Sequence, residues 1–211
     1  MSTALEIATA GAPLKRARAA AVMIHGRGAS AEDILSLGAE FAQDEIAYLA
    51  PQASGHGWYP YSFLAPFAQN EPHLTNALAT VGAVFDHLNR EGFAAERVAL
   101  IGFSQGGCLA LEYAARNAQR FGAVAGLSAG LIGPPGTPRN YAGSLAGTPV
   151  FLGCSDVDSH IPLARVHETR DILTRMGAVV TERIYPGMGH TVNADEIAHV
   201  AKLLAAITPL K

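Results

Sequence analysis

The sequence predicts an α/β fold, in which a mostly parallel central sheet carries helices on both faces. Short apolar runs alternate with longer segments whose apolar residues recur every three or four positions, the order expected of β-α-β units. The runs are apolar throughout, as expected of strands buried on both faces. The chain has 211 residues, of which 49% are apolar and 16% charged, enough for one large core. We therefore expect residues 1–211 to form a single domain.

The elements follow one another without a repeat, low-complexity tract or linker. The apolar runs predict six strands, at residues 20–25, 46–50, 97–103, 123–128, 149–153 and 179–185. The helical spacing predicts five helices, at residues 34–41, 74–88, 106–117, 163–176 and 194–207. Pro51 ends the second strand, and Gly177 closes the fourth helix. A region rich in aromatic residues and proline, residues 52–69, separates the second strand from the second helix.

Charge and cysteine usage exclude several classes of protein. Lys and Arg number 15 and Asp and Glu 18, so the net charge of −3 offers no basic excess for binding nucleic acid. Cys108 and Cys154 lack CxxC spacing and are expected to be buried, reduced thiols. The first twenty residues carry no signal-peptide pattern. The longest uncharged window, residues 121–138, is interrupted by glycine and proline. We expect a cytoplasmic protein that does not insert into a membrane.

The strand at 97–103 leads directly into a G-x-S-x-G motif, Gly102-Phe103-Ser104-Gln105-Gly106, and a helix follows. A nucleophile on a sharp strand-to-helix turn needs small residues two positions before and after it, because strand and helix approach closely there. Reactive groups of parallel α/β sheets lie beyond the carboxyl ends of the strands, where this turn lies. Ser104 is therefore the candidate nucleophile.

A serine hydroxyl needs a base, and the base needs an orienting carboxylate. In this architecture the expected chain order is Ser, Asp or Glu, then His. His190 follows the last strand in a glycine-rich loop and is the candidate base. Two carboxylates, Asp156 and Asp158, follow the strand at 149–153, and either could be the acid.

The tetrahedral intermediate of acyl transfer needs at least two hydrogen-bond donors for its oxyanion. One should be the backbone N–H of Gln105, at the start of the helix. The second should come from the loop His25-Gly26-Arg27-Gly28, with Arg27 as the donor. The Arg27 side chain would either meet an acidic group of the substrate or remain solvated. His25 is better explained as a residue that holds this loop than as a second base, and we place it near the substrate.

Two further sets of side chains are candidates for substrate binding. The loop that contains Trp58 and Tyr59 carries the only tryptophan, and its aromatic side chains could form an apolar acyl pocket led by Trp58 or anchor the loop on the core. His160 is expected to line the rim of the site. Its neighbours Asp156 and Asp158 offer no recognised metal-binding spacing, so no metal is predicted.

Taken together, HGRG, GxxWYP, GFSQGG, DxHIP and GMGH resemble the phospholipase/carboxylesterase branch of the α/β-hydrolase fold, which includes the acyl-protein thioesterases. The resemblance runs from about residue 20 to 205. It implies a compact serine esterase without a large lid domain, with Ser104 as nucleophile and His190 as base. The family acid lies four residues before a proline, and counting back from Pro162 gives Asp158. The chain departs from thioesterase-like members around the substrate, with Ala29-Ser30 where they commonly carry an acidic residue.

These features predict a serine carboxylesterase that hydrolyses small or short-acyl esters through an acyl-serine intermediate. One alternative is a lysophospholipase or acyl-protein thioesterase acting on long acyl chains. An alternative of another class is a non-catalytic binding module, since fold does not fix function, although the intact Ser, acid and His set argues against it. We expect a small-molecule ester as substrate, no cofactor and no nucleic-acid partner. Apolar loops near the site could pair in a homodimer, but no self-complementary patch decides this.

Overall fold

The computed structural model describes residues 6–207, which contain a seven-stranded sheet with the strand order β1-β3-β2-β4-β5-β6-β7. All neighbouring strands are parallel except β1, which runs antiparallel to β3 at one edge. The strands are β1 Ile7–Gly11, β2 Ala19–Ile24, β3 Ile46–Pro51, β4 Val98–Phe103, β5 Ala123–Leu127, β6 Pro149–Ser155 and β7 Val179–Tyr185. The predicted α/β fold is confirmed.

Within residues 6–207, six α-helices connect and cover the strands. They are α1 Ala31–Glu40, α2 Phe67–Asn70, α3 His73–Arg90, α4 Gln105–Arg116, α5 Leu163–Arg175 and α6 Ala194–Ala206. Capping boxes start two of them: the side chains of Ser30 and Asn193 each accept from the third backbone N–H of the helix, and the third side chain bonds back. Helix formation at these ends therefore has a local cause in the sequence.

The sheet separates two apolar cores. Along β2, Val22 and Ile24 face one core with α3, α4 and α5, whereas Ala21 and Met23 face the other with α1 and α6. All six residues of β2 are buried, which explains why this strand reads as an uninterrupted apolar run. Helices on both faces of the sheet were predicted from this pattern.

The strand β1 was not predicted, for a physical reason. It is short, contains mostly small residues and lies at the edge of the sheet, where three of its five residues are exposed. An edge strand buries little apolar surface, so its sequence lacks the signal that the central strands carry. The short helix α2, at one end of the aromatic-rich region, was also missed.

Buried ionic side chains brace the connection between β5 and β6. On α4, the carboxylate of Glu112 accepts hydrogen bonds from the backbone N–H of Ile132 and from the Tyr141 hydroxyl. On α5, the guanidinium of Arg165 donates to the carbonyls of Leu131 and Gly133. These contacts satisfy backbone groups that would otherwise be buried without partners. They also hold the backbone of residues 131–133 in place, in the loop that follows β5.

Candidate active site

The G-x-S-x-G motif forms a strained turn between β4 and α4. Ser104 has φ 54° and ψ −122°, in a region that residues with a side chain rarely adopt. A Cβ on Gly102 would lie 2.3 Å from the carbonyl oxygen of Gly106, and one on Gly106 would lie 2.2 Å from that of Ile24. Only glycine fits at both positions. The turn therefore presents the Ser104 side chain beyond the end of the sheet.

Three side chains from three loops meet at this turn. The Nε2 atom of His190 lies 2.8 Å from Oγ of Ser104, and its Nδ1 atom lies 2.8 Å from Oδ2 of Asp158. A carboxylate can only accept, so Nδ1 carries the proton and the neutral ring leaves Nε2 free to accept from the serine hydroxyl. His190 is 86 positions from Ser104 and 32 positions from Asp158 in the sequence, yet the sheet brings all three side chains together.

The carboxylate of Asp158 is held in its ionised form. Its side chain is fully buried, which by itself raises the pKa, but hydrogen bonds from His190 and from the backbone N–H groups of His160 and Ile161 outweigh burial and lower the pKa. The thiol of Cys154 lies 3.8 Å from the same oxygen that faces His190. The site thus keeps a negative charge next to the imidazole.

The other candidate acid, Asp156, does not reach the imidazole. Its Oδ1 atom accepts a hydrogen bond from the backbone N–H of Gly187, at 2.8 Å, in the loop that carries His190. Asp156 is exposed, in contrast to Asp158. It therefore ties two loops together.

The predicted oxyanion donors, Arg27 and Gln105, both belong to the cavity that contains Ser104. Gln105 is the first residue of α4, so its backbone N–H has no acceptor within the helix. Arg27 lines the same cavity as Ser104 and Gln105. The Gln105 side chain has a different role. It accepts from the backbone N–H of Trp58 and donates to the carbonyl of Tyr59, and so holds the aromatic loop against the start of α4.

Trp58 and His25, which were expected near the substrate, are not among the residues that line the cavity beside Ser104. The indole N–H of Trp58 donates to the carbonyl of His25 at 2.8 Å, and both side chains are buried. The His25 ring bonds the carbonyl of Gly26 through Nδ1 and accepts from the N–H of Ala53 through Nε2. Burial lowers the pKa of His25, consistent with this neutral ring. Both residues hold loops because their polar atoms need partners in the interior.

The cavity beside Ser104 has a volume of about 450 Å³. Tyr59 lines it from a nearly fully buried position, and His160 lies at its rim, where its ring contacts the His190 ring with centroids 4.7 Å apart. Four further side chains complete the apolar wall. Phe63 belongs to the aromatic loop that was expected to form a pocket or an anchor, whereas Phe103, Cys108 and Ile161 were not expected to line the cavity. Cys108 lies four positions after Ser104, one helical turn away, which is the signal that could have found it.

The Cys108 thiol is not a second nucleophile. It is fully buried, and burial raises the pKa of this thiol to about 12. Thiols react as thiolates, so a neutral thiol at this depth serves as an apolar part of the wall.

A buried carboxylate, Glu196, packs against β6, the strand that leads into the loop with Asp158. Oε2 of Glu196 accepts from the backbone N–H of Asn193, but Oε1 has no hydrogen-bond partner within residues 6–207. It packs so closely on β6 that a Cβ on Gly153 would come within 2.2 Å of it. Burial raises the pKa of Glu196 to about 7. The folded state therefore favours the protonated acid.

We expect Glu196→Gln to stabilise the protein above neutral pH. The stabilisation that wild type gains from the raised pKa is complete below the ordinary glutamate pKa and is lost as the pH rises through 7. The neutral amide keeps the acceptor for Asn193, so the variant should gain about 1–3 kcal/mol at pH 8 and less than about 1 kcal/mol at pH 5. Thermal denaturation at both pH values checks this. The exposed Glu40→Gln is the control, and a gain that does not change with pH would contradict the assignment.

Residues 6–207 contain neither a metal-binding cluster nor a membrane-spanning helix. No group of three or more His, Cys, Asp or Glu side chains in this part of the chain is placed to hold a metal ion. None of its helices is both long enough and apolar enough to cross a bilayer.

Comparison with known proteins gives a family match over nearly the whole chain. A family model described as Phospholipase/Carboxylesterase matches residues 5–208. The solved structure of a phospholipase/carboxylesterase from Dyadobacter fermentans is 45% identical, with a TM-score of 0.92. That similarity covers 96% of this chain and 97% of the other.

Curated relatives are more distant. An acyl-protein thioesterase 1 from Gibberella zeae is 29% identical over 126 residues, which cover 57% of this chain and about half, 52%, of that protein. An acyl-protein thioesterase 1 from Neurospora crassa is 26% identical over 92% of this chain and 89% of its own length.

Proposed function

Since the chain belongs to the phospholipase/carboxylesterase family, we propose that it hydrolyses small or short-acyl carboxylic esters with Ser104, His190 and Asp158 as its catalytic triad. The observation that carries this proposal is the pair of 2.8 Å contacts that join the three side chains through His190. An intact, connected set of this kind argues against a non-catalytic binding module. The acting unit is the single α/β-hydrolase domain formed by the chain.

The geometry supports a two-step acyl transfer. Oγ of Ser104 attacks the ester carbonyl while Nε2 of His190 takes its proton, and His190 then gives that proton to the departing alcohol. The backbone N–H groups of Arg27 and Gln105 stabilise the oxyanion. Water, activated by His190, attacks the acyl-Ser104 ester, the acid leaves, and the serine regains its proton. Asp158 keeps the ring oriented and stabilises the imidazolium in both steps.

Short acyl chains fit the surface around the site better than long ones. A long chain needs a continuous apolar groove, but only three large apolar side chains are well exposed within residues 6–207: Tyr61, Val157 and Val179. Of these, only Tyr61 lines the cavity. The side chains of Tyr59 and Cys108 also line the cavity but are buried in the apolar core, so a chain that extended inward would have to displace them. The names of the thioesterase relatives favour the long-chain alternative, so chain length is the property to measure.

A panel of 4-nitrophenyl esters from acetate to palmitate should give the highest kcat/KM at two to six carbons, with a fall of at least ten-fold by twelve carbons. The physical reason is that methylenes beyond the apolar wall gain no burial, and a chain too long for the cavity must displace the buried side chains of Tyr59 and Cys108. Steady-state rates below the critical micelle concentration of each ester measure this. A maximum at twelve or more carbons would instead support a lysophospholipase or thioesterase.

A further inference from the structure

Arg27 holds a positive charge at the mouth of the cavity. Its guanidinium donates to the carbonyl of Pro60 at 2.7 Å and to that of Tyr61 at 2.6 Å, which fixes an exposed side chain in one place. None of the ion pairs formed by residues 6–207 includes Arg27. Neutral carbonyls orient the group without cancelling its charge, so the guanidinium keeps its attraction for an anion.

Arg27 also lies where two cavities meet. The cavity of about 450 Å³ beside Ser104 and a second one of about 310 Å³ share Arg27, Tyr59 and Pro60 as lining residues. The second cavity extends away from Ser104 toward His56 and His73. A substrate whose carbonyl lies at Ser104 can therefore place another part of itself beside the guanidinium.

The two cavities contain no negative charge among their lining residues within 6–207, although the chain carries 18 acidic residues. Of the carboxylates nearby, Asp33 is engaged at the start of α1, where it accepts from the backbone N–H and the hydroxyl of Ser30 at 2.8 and 2.9 Å. Glu32, its neighbour, is exposed and lines neither cavity. The ionised Asp158 lies on the far side of the His190 ring, with its side chain fully buried. The charge that a substrate arm meets at the mouth of the cavity is therefore the guanidinium of Arg27, which favours anions.

We infer that the preferred substrates are esters with an anionic group, a carboxylate or a phosphate, on the arm that extends past Arg27. The inference rests on the proposed esterase function and names its substrate class. The guanidinium has donors left beyond those used by Pro60 and Tyr61, and its planar fork suits both anions. The opposite arm of the ester packs on the apolar wall, which includes Phe63 and Ile161.

A merely structural role for Arg27, as a clamp between two loops, would affect neutral and anionic substrates alike. The ratio of kcat/KM for an anionic ester to that for its neutral isostere separates the two roles, because an effect on the shared catalytic machinery cancels in the ratio. Arg27→Gln removes the charge and leaves the backbone N–H in place.

The test uses matched ester pairs with the charge on either arm. For a charge on the acyl arm, the 4-nitrophenyl monoester of adipic acid is compared with the methyl 4-nitrophenyl diester. For a charge on the alcohol arm, 4-acetoxybenzoate and 4-acetoxyphenyl phosphate are each compared with 4-acetoxybenzamide. We expect the anionic-to-neutral ratio of kcat/KM for at least one pair to fall about ten- to fifty-fold in Arg27→Gln and to recover in part in Arg27→Lys. In wild type, the same ratio should decrease as salt is added. The control Arg90→Gln removes an exposed charge at the far end of α3 from His73 and should keep the wild-type ratio.

The outcomes distinguish failure of the inference from failure of the proposed function. Ratios near wild type in Arg27→Gln for every pair, with Ser104-dependent hydrolysis of the neutral esters intact, would overturn the anionic substrate class alone. Absence of Ser104-dependent hydrolysis of any ester would overturn the function on which it rests. The pair whose ratio changes identifies the arm, and the comparison of benzoate with phosphate identifies the anion.

Discussion

Replacing Ser104 with alanine should lower kcat by roughly 10⁴–10⁶-fold and abolish labelling by a fluorophosphonate. No other hydroxyl can take its place, because the strained turn holds this side chain 2.8 Å from Nε2 of His190. The loss should appear in kcat and kcat/KM together, since the covalent bond forms only after the ester is bound. Steady-state hydrolysis of 4-nitrophenyl acetate and mass spectrometry of the labelled protein measure both effects.

The matched control is Ser159→Ala, an exposed serine in the loop that carries Asp158. It should keep activity within a few-fold of wild type and should still be labelled. Circular dichroism and thermal denaturation show whether both variants are folded. If Ser104→Ala kept more than a few per cent of the wild-type rate, or if the label remained, the nucleophile would be another residue.

Much of the fold could be predicted because the central strands are buried on both faces. The runs at β2 and β4 consist of apolar residues only, and a parallel sheet fixes where their carboxyl ends meet. The edge strand β1 carries no such signal. Small and partly exposed residues pair there through backbone hydrogen bonds, which a side-chain pattern does not record.

In the candidate site, too, some positions could be predicted from local sequence features, whereas others depend on contacts between distant parts of the chain. The positions of Ser104 and His190 follow from local features, a glycine-flanked turn and a loop after the last strand. The environment of Trp58 could not be read from the sequence, since an aromatic residue in a loop can face a pocket or anchor the loop. What decides is the carbonyl of His25, 33 residues away, which accepts the indole N–H and turns the ring inward. The carbonyls that hold Arg27 are likewise backbone groups, whose positions depend on the folded loops.

Replacing each of the two neighbouring carboxylates, Asp158 and Asp156, tests which of them orients His190. Asp158→Asn should lower kcat by about 10³–10⁴-fold. The amide oxygen can still accept from the N–H groups of His160 and Ile161, so the loop should keep its shape. The amide NH₂ then faces Nδ1 of His190 as a donor, which favours the tautomer with its proton on Nε2. That ring cannot accept the proton of Ser104.

Asp156→Asn should cost less than about ten-fold, although it removes the same charge two positions away. Its remaining oxygen can still accept from Gly187, and the ring of His190 keeps Asp158 as its partner. The two variants thus form a matched pair that separates charge near the site from contact with the imidazole. Steady-state hydrolysis of the same ester by both variants gives the comparison. The reverse ranking would make Asp156 the catalytic acid, and two small effects would mean that neither carboxylate sets the tautomer of His190.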